Sequence, residues 1–128
     1  MVYLMYFREQ SNFSDSHPWI DKLLNLFGVK PIVICPGMTS KDVPYFDTVQ
    51  EAYEAFSDYT WIWLDANGDK YLDEITHPED SVVYAVGSDY TGFGDFVGEG
   101  QRIKLRIAET FAPMVVPMVL YDRALRSL

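Results

Sequence analysis

Three places in this chain carry groups suited to chemistry. Gly87, Gly92 and Gly94 follow directly on the apolar run Val82 to Val86. A buried strand ending in a glycine-rich turn brings bare backbone N–H and C=O groups close to a ligand, because glycine has no Cβ to block approach. The turn lacks the Lys-Ser/Thr of a P-loop and does not have G-x-G-x-x-G spacing, which disfavours nucleoside triphosphates and dinucleotides. Asp65, Asn67 and Asp69 alternate like calcium ligands. The sixth position, where a glycine must turn the chain, is Lys70, and the twelfth, where a bidentate Glu is needed, is Thr76. An ordinary Asn67-Gly68 turn is expected instead. His17 and His77 have no second His, Cys or carboxylate at ligand spacing, so no metal is expected. The first reads as a helix cap and the second as a pre-proline loop residue. The single cysteine, Cys35, ends an apolar run and reads as a small buried hydrophobe. No G-x-S-x-G elbow is present, so an α/β-hydrolase is not indicated.

A length of 128 residues suits one domain with one core, spanning residues 1–128. A formal charge of −9 argues against broad attraction to nucleic acid, since phosphate binding relies on Lys and Arg releasing counterions. Met1 to Phe7 is too short for a secretory h-region, lacks a basic start and runs into Arg8, Glu9 and Gln10. No apolar run approaches the roughly 20 residues that cross a bilayer. A soluble cytoplasmic protein without membrane contact is expected.

The elements that must position the turn follow from periodicity. Val2 to Phe7 is β-branched, aromatic and apolar on both faces, as in a strand covered on both sides. Ser16 or His17 can cap a helix that tolerates Pro18 in its first turn and aligns Ile20, Leu23, Leu24 and Phe27, with Gly28 as its left-handed terminator. Pro31 to Cys35 completes a βαβ unit. Pro36 to Pro44 reads as loop. Asp47, with Gln50, can cap a helix whose face is Val49, Ala52, Tyr53 and Phe56. Thr60 to Leu64 is a third strand, and Tyr71 to Ile75 is either a short strand or a helical turn. Val82 to Val86 is the fourth strand. Arg102 to Ile107 alternates strictly and reads as a fifth strand nearer an edge. A helix from about Ala112 to Arg126 closes the chain, with Arg123 and Arg126 complementing its dipole. Alternating strands and helices predict a three-layer α/β/α domain with a mainly parallel sheet.

Order and spacing together carry a resemblance. Val82 to Gly94, VVYAVGSDYTGFG, resembles the second motif of the SpoU/TrmH branch of the SPOUT-class RNA methyltransferases, an apolar strand followed by Gly-Ser-Glu-x-x-Gly-Leu. Leu4 to Phe7, Asn12 and the helix of Ile20 to Val29 are similar to that family's start. Val115 to Asp122, VVPMVLYD, is similar to its closing helix.

The resemblance implies a five- or six-stranded sheet with a C-terminal deep trefoil knot, a homodimer, S-adenosylmethionine as cofactor, and tRNA or rRNA as substrate for ribose 2′-O-methylation. The matching cofactor loops are Leu64 to Ala66, Gly87 to Asp89 and Leu105 to Met114. They make Leu64, Asp65, Gly87, Ser88, Leu105, Ile107 and Met114 the candidate cofactor residues. Lys22 falls where the family has a catalytic Arg, and Asp89 where it has Glu; these are the catalytic candidates. Ser16 stands at an Asn position, and Glu109 to Pro113 replaces the third motif's Ser-Leu-Asn-Val-Ser. Lys for Arg loses the planar fork needed for paired hydrogen bonds. Two alternatives stand beside the enzyme: a non-catalytic SPOUT-like binding or regulatory protein, and an unknotted flavodoxin-like domain with a phosphate site near Ser11, Asn12, Ser14 and Ser16. An exposed stripe of Met114, Met118 and Leu125 would suit a two-fold interface. A basic strip of Arg8, Lys22, Arg102, Lys104 and Arg106 would favour RNA.

Overall fold

The computed structural model describes residues 1–8, 17–88, 92–107 and 112–127. Its strands are β1 (Val2–Phe7), β2 (Lys30–Ile34), β3 (Tyr45–Phe46), β4 (Thr60–Leu64), β5 (Lys70–Tyr71), β6 (Val82–Val86) and β7 (Gln101–Lys104). Its helices are α1 (His17–Leu26), α2 (Val49–Ala55) and α3 (Ala112–Arg126). The strands pair in parallel throughout, in the order β3-β2-β1-β6-β4-β7-β5. The sheet has seven strands rather than five or six, because Tyr45–Phe46 and Lys70–Tyr71 each add a two-residue rung.

The three-layer reading holds. Alternation along the strands sends Leu4, Tyr6, Ile62, Val82, Tyr84 and Ile103 to one face, where Ile20 and Leu24 of α1 and Val116, Val119 and Leu120 of α3 cover them. Met5, Ile32, Ile34, Trp61, Trp63, Val83 and Ala85 point the other way, toward Val49 and Ala52 of α2. Gly28, at φ +67°, ends α1 in a Schellman arrangement, with Val29 N–H donating to Leu24 O at 2.9 Å and Gly28 N–H to Asn25 O at 3.2 Å. Glycine meets there no penalty from a Cβ.

Three local expectations are corrected. Thr48, not Asp47, caps α2: its Oγ1 accepts from Glu51 N–H at 3.2 Å, while the Asp47 carboxylate accepts from Gly37 N–H at 2.9 Å. Tyr71 to Ile75 is both of the things considered, a rung at Lys70–Tyr71 running into a 3₁₀ turn at Leu72–Glu74. The last strand stops at Lys104, although the apolar alternation continues to Ile107. Its partners run out there, since β4 ends at Leu64 opposite Ile103 and β5 ends at Tyr71 opposite Lys104.

The strand order decides between two folds. Taken in chain order, β1, β2, β4, β6 and β7 lie as 2-1-4-3-5. A flavodoxin-like sheet runs 2-1-3-4-5, so that alternative is excluded. Moreover, β7 sits between β4 and β5, which are joined by the short connection 65–69. That connection arches across β7: Asp65 N–H donates to Ile103 O at 2.8 Å and Asp69 N–H to Arg102 O at 3.0 Å. A Cβ on Gly68 would stand 2.7 Å from the Ile103 carbonyl carbon, so only glycine fits the crossing.

Candidate functional site

Parallel pairing brings the ends of three neighbouring strands to one level. Leu64 lies opposite Val86 on one side and Ile103 on the other. The residues leaving those strands, Asp65, Gly87 and Leu105, therefore share the carboxyl edge of the sheet, where open α/β sheets bind ligands. Leu64 and Leu105 are half-buried and pack against the α1–α3 core. Ile107, beyond β7, and Met114, in the first turn of α3, are about half exposed.

The glycine turn closes on itself. Ser88 N–H donates to Gly92 O at 2.9 Å and Gly92 N–H to Ser88 O at 3.0 Å, while the Ser88 side chain is buried. A Cβ on Gly87 would lie 3.0 Å from the Gly92 backbone, so glycine at 87 serves the closure of the turn. Asp65 stabilises the adjacent turn by accepting from Asn67 N–H at 2.9 Å, with Gly68 N–H donating to Asp65 O, as an Asn-Gly turn requires. Its second carboxylate oxygen accepts from Arg102 Nη1 at 3.3 Å.

Lys22 is exposed on α1. Its neighbour Asp21 instead accepts from the Tyr6 hydroxyl at 3.2 Å, and burial, reinforced by the Asp21 charge, pushes that phenol well above its usual range. Asp89, Ser16 and the residues from Glu109 to Phe111 lie outside the described residues, as do the loop serines at 11 and 14, Asn12 and the His17 side chain. The expected basic strip is divided. Lys104 Nζ and the Arg106 guanidinium lie 4.8 and 3.9 Å from the Tyr71 ring, with Arg102 on the same strand. Arg102 and Arg106 are neutralised by Asp65 and Asp73. Arg8 lies past the end of β1, donating to the Tyr45 hydroxyl at 3.2 Å, and Lys22 is on α1.

Sequence reading missed a connected polar cluster around His77. His77 is no mere loop residue: its ring bridges the Tyr84 hydroxyl and the Asp122 carboxylate, each at 2.7 Å. Arg123 reaches Tyr84 Oη at 2.8 Å and the carbonyls of Pro78 and Glu79 at 2.6 and 2.9 Å. Arg126 donates to Asp122 and to the carbonyls of Ile75 and Leu72. The two arginines thus fasten α3 to the segment before β6, beyond any service to the helix dipole. Burial makes the His77 imidazolium unfavourable, against the pull of Asp122 and with repulsion from Arg126 and Arg123, so its pKa lies below the usual 6.5. Burial also raises the Asp122 carboxyl, but bonds from His77 and Arg126 outweigh it and hold the group below its usual range. Partners 7 and 45 residues away leave no local pattern by which this cluster could be found.

Among the described residues no group of three His, Cys, Asp or Glu is arranged to hold a metal, and no helix is long and apolar enough to cross a membrane. Cys35 is half-buried against the α1–α3 core.

The architecture is that of the TrmH-like SPOUT proteins. No protein-family model and no curated protein sequence matches the chain, but solved structures do. A candidate RNA methyltransferase from Bacillus anthracis superposes with a TM-score of 0.73 at 13% identity, over 96% of this chain and 92% of that one. A structure concerned with 2-OH methylation of C/U34 on tRNA gives 0.77 at 14% identity, over 100% and 98%. A candidate RNA methyltransferase of the TrmH family from Porphyromonas gingivalis gives 0.75 at 11% identity, over 98% of this chain and 59% of its own length. At these identities the likeness is one of fold.

Proposed function

We propose that this chain is an S-adenosylmethionine-dependent RNA methyltransferase that modifies a ribose 2′-hydroxyl of tRNA or rRNA. In this reading it acts in the cytoplasm as a homodimer of one knotted SPOUT-like domain, residues 1–128. The observation that carries the reading is the 2-1-4-3-5 strand order, which sets the three candidate cofactor loops side by side. Likeness over the whole chain to a structure concerned with tRNA 2-OH methylation supports the choice of acceptor. The seating of β7 between β4 and β5 supports the knot. Exposure of Met114, Met118, Tyr121 and Leu125 along α3, and of Trp19 and Leu26 on α1, supports a two-fold interface.

The residues present fit the cofactor. Leu64 and Leu105 offer half-buried apolar side chains at the sheet edge, suited to a flat purine, and Gly87 leaves β6 at the same edge, where its lack of a Cβ lets the turn close onto Gly92. When bound, S-adenosylmethionine supplies an electrophilic methyl group. Leu64, Asp65, Gly87, Ser88, Leu105, Ile107 and Met114 hold and orient it. Lys22, at the position of the family's Arg, is assigned to activating the acceptor hydroxyl for loss of its proton, and Asp89 occupies the position of the second-motif carboxylate. Positioning of nucleophile and electrophile in line is the main demand of such a transfer.

Titration calorimetry with S-adenosylmethionine and S-adenosylhomocysteine tests this directly. Micromolar binding is expected, followed by transfer of labelled methyl to RNA; absence of binding overturns the enzyme reading. The pairing of Arg102 and Arg106 with carboxylates in a chain of charge −9 favours a second reading, a SPOUT-like binding protein without transferase activity. Cofactor binding without transfer to any RNA selects it.

A further inference from the structure

The segment following the glycine turn is held in an unusual way. Both peptide groups of Glu99 are bound by side chains rather than backbone: its N–H donates to Tyr53 Oη at 3.1 Å, and its C=O accepts from the Trp63 indole N–H at 3.0 Å. Phe93 meets Trp63 edge-on at 4.9 Å, and Phe96 packs against Tyr53 at 5.4 Å. A Cβ on Gly98 would lie 2.6 Å from the Trp63 ring, and one on Gly100 2.2 Å from Trp61 O. The backbone at Gly98 and Gly100 is therefore pressed onto the aromatic layer, while Asp95 and Val97 face outward. Trp63 itself is fully buried, stacked on Trp61 at 4.9 Å, and has the Arg102 guanidinium 5.3 Å from its ring.

Trp63 also belongs to the neighbouring loop, because its backbone leads straight into Leu64 and Asp65. One side chain thus ties the segment leaving Gly87, Ser88 and Gly92 to the strand that delivers Leu64. We infer that Trp63, seconded by Tyr53, is a positioning residue of the cofactor site: it holds residues 93–100, which run on from the Gly92 that closes the Gly87–Ser88 turn, onto the strand that leads into the Leu64–Asp65 loop. The inference rests on the cofactor reading above. It adds a residue that touches no ligand and acts through Glu99 and Phe93.

The test compares Trp63→Phe with Trp61→Phe. Both replace an indole in the same stack, but Trp61 donates its N–H to Phe56 O, at the end of α2, and not to residues 93–100. The expected result is a rise of up to about tenfold in the Kd for S-adenosylhomocysteine in Trp63→Phe, because a segment freed by the loss of one oriented hydrogen bond must be ordered again on binding. Trp61→Phe should stay within about twofold at a similar loss of Tm. In transfer assays the effect should appear in KM for the cofactor and not for RNA. Hydrogen exchange without ligand, read over residues 92–100, should quicken in Trp63→Phe and Tyr53→Phe only. Equal behaviour of the two tryptophan variants overturns the inference. A wild-type chain that binds no cofactor overturns the cofactor reading and the positioning role with it. Exchange data then report separately whether Trp63 holds the segment.

Discussion

The His77 imidazole and the Asp122 carboxylate meet at 2.7 Å, joining the segment before β6 to the middle of α3. Because the carboxylate can only accept, Nε2 carries the proton, and Nδ1 is left to accept from the Tyr84 hydroxyl. Tyr84 Oη accepts in turn from Arg123. The direction of every bond in the cluster follows from that one pair.

Stability should consequently depend on pH in two windows. The native pKa of His77 lies below its usual 6.5, so the unfolded chain binds the extra proton first, and stability falls as pH drops from 6.5 through the native value. Asp122 has a depressed pKa, so its contribution is complete above 3.8 and is lost as pH falls through its native value. Urea unfolding between pH 7.5 and 5 should show the first slope in the wild type and a flatter one in His77→Gln. Asp122→Ala should cost about 2 kcal/mol at pH 7, since His77 and Arg126 lose their shared acceptor.

Removal of the Lys22 charge should separate binding from transfer. Lys22 is exposed on α1, so Lys22→Ala should leave Tm unchanged. Transfer should fall by about 100-fold or more with cofactor affinity retained. Unaltered transfer would take Lys22 out of the mechanism.

The cap of α2 can be assigned by a pair of substitutions. Thr48→Ala should cost about 1 kcal/mol through the lost bond to Glu51 N–H, measured by denaturant unfolding. Asp47→Ala should cost about half as much, because it frees only Gly37 N–H at an exposed turn.

The α3 stripe should respond to a charge. Met118 is 37% exposed, so Met118→Glu should be tolerated within the subunit. Sedimentation should show a dimer for the wild type and a monomer for the variant; a wild-type monomer at micromolar concentration counts against the two-fold interface.

Much of this fold was legible because its signals are local. The apolar stripe of α1 on Ile20, Leu23, Leu24 and Phe27 fills the core as the 3.6-residue period requires, and β1, β4 and β6 lie where continuous apolar runs stand. Strand order was not legible, since the placing of β6 between β1 and β4 depends on partners far away in sequence. Local pattern also overran the ladder at Leu105 and Ile107, because alternation records amphipathic character and not the presence of a neighbouring strand. The assignment of the loops at 64–66 and 87–89 to a cofactor came from the resemblance, while the strands that deliver them were legible as apolar runs. The cluster around His77 and the clamp on Glu99 were not, as both join residues more than 35 apart through side chains of ordinary types.

The crossing at Gly68 has a consequence for how the molecule comes to be made. A strand seated between two earlier ones cannot be added at an open margin of the sheet. β7 has to enter between β4 and β5, where the arc 65–69 bonds across it. Long-range parallel pairing of this kind is slow, so the entry of β7 is expected to come late in folding. The bonds from Asp65 and Asp69 hold β7 there, so slow unfolding is expected to guard the native state by the height of a barrier as well as by the depth of its well.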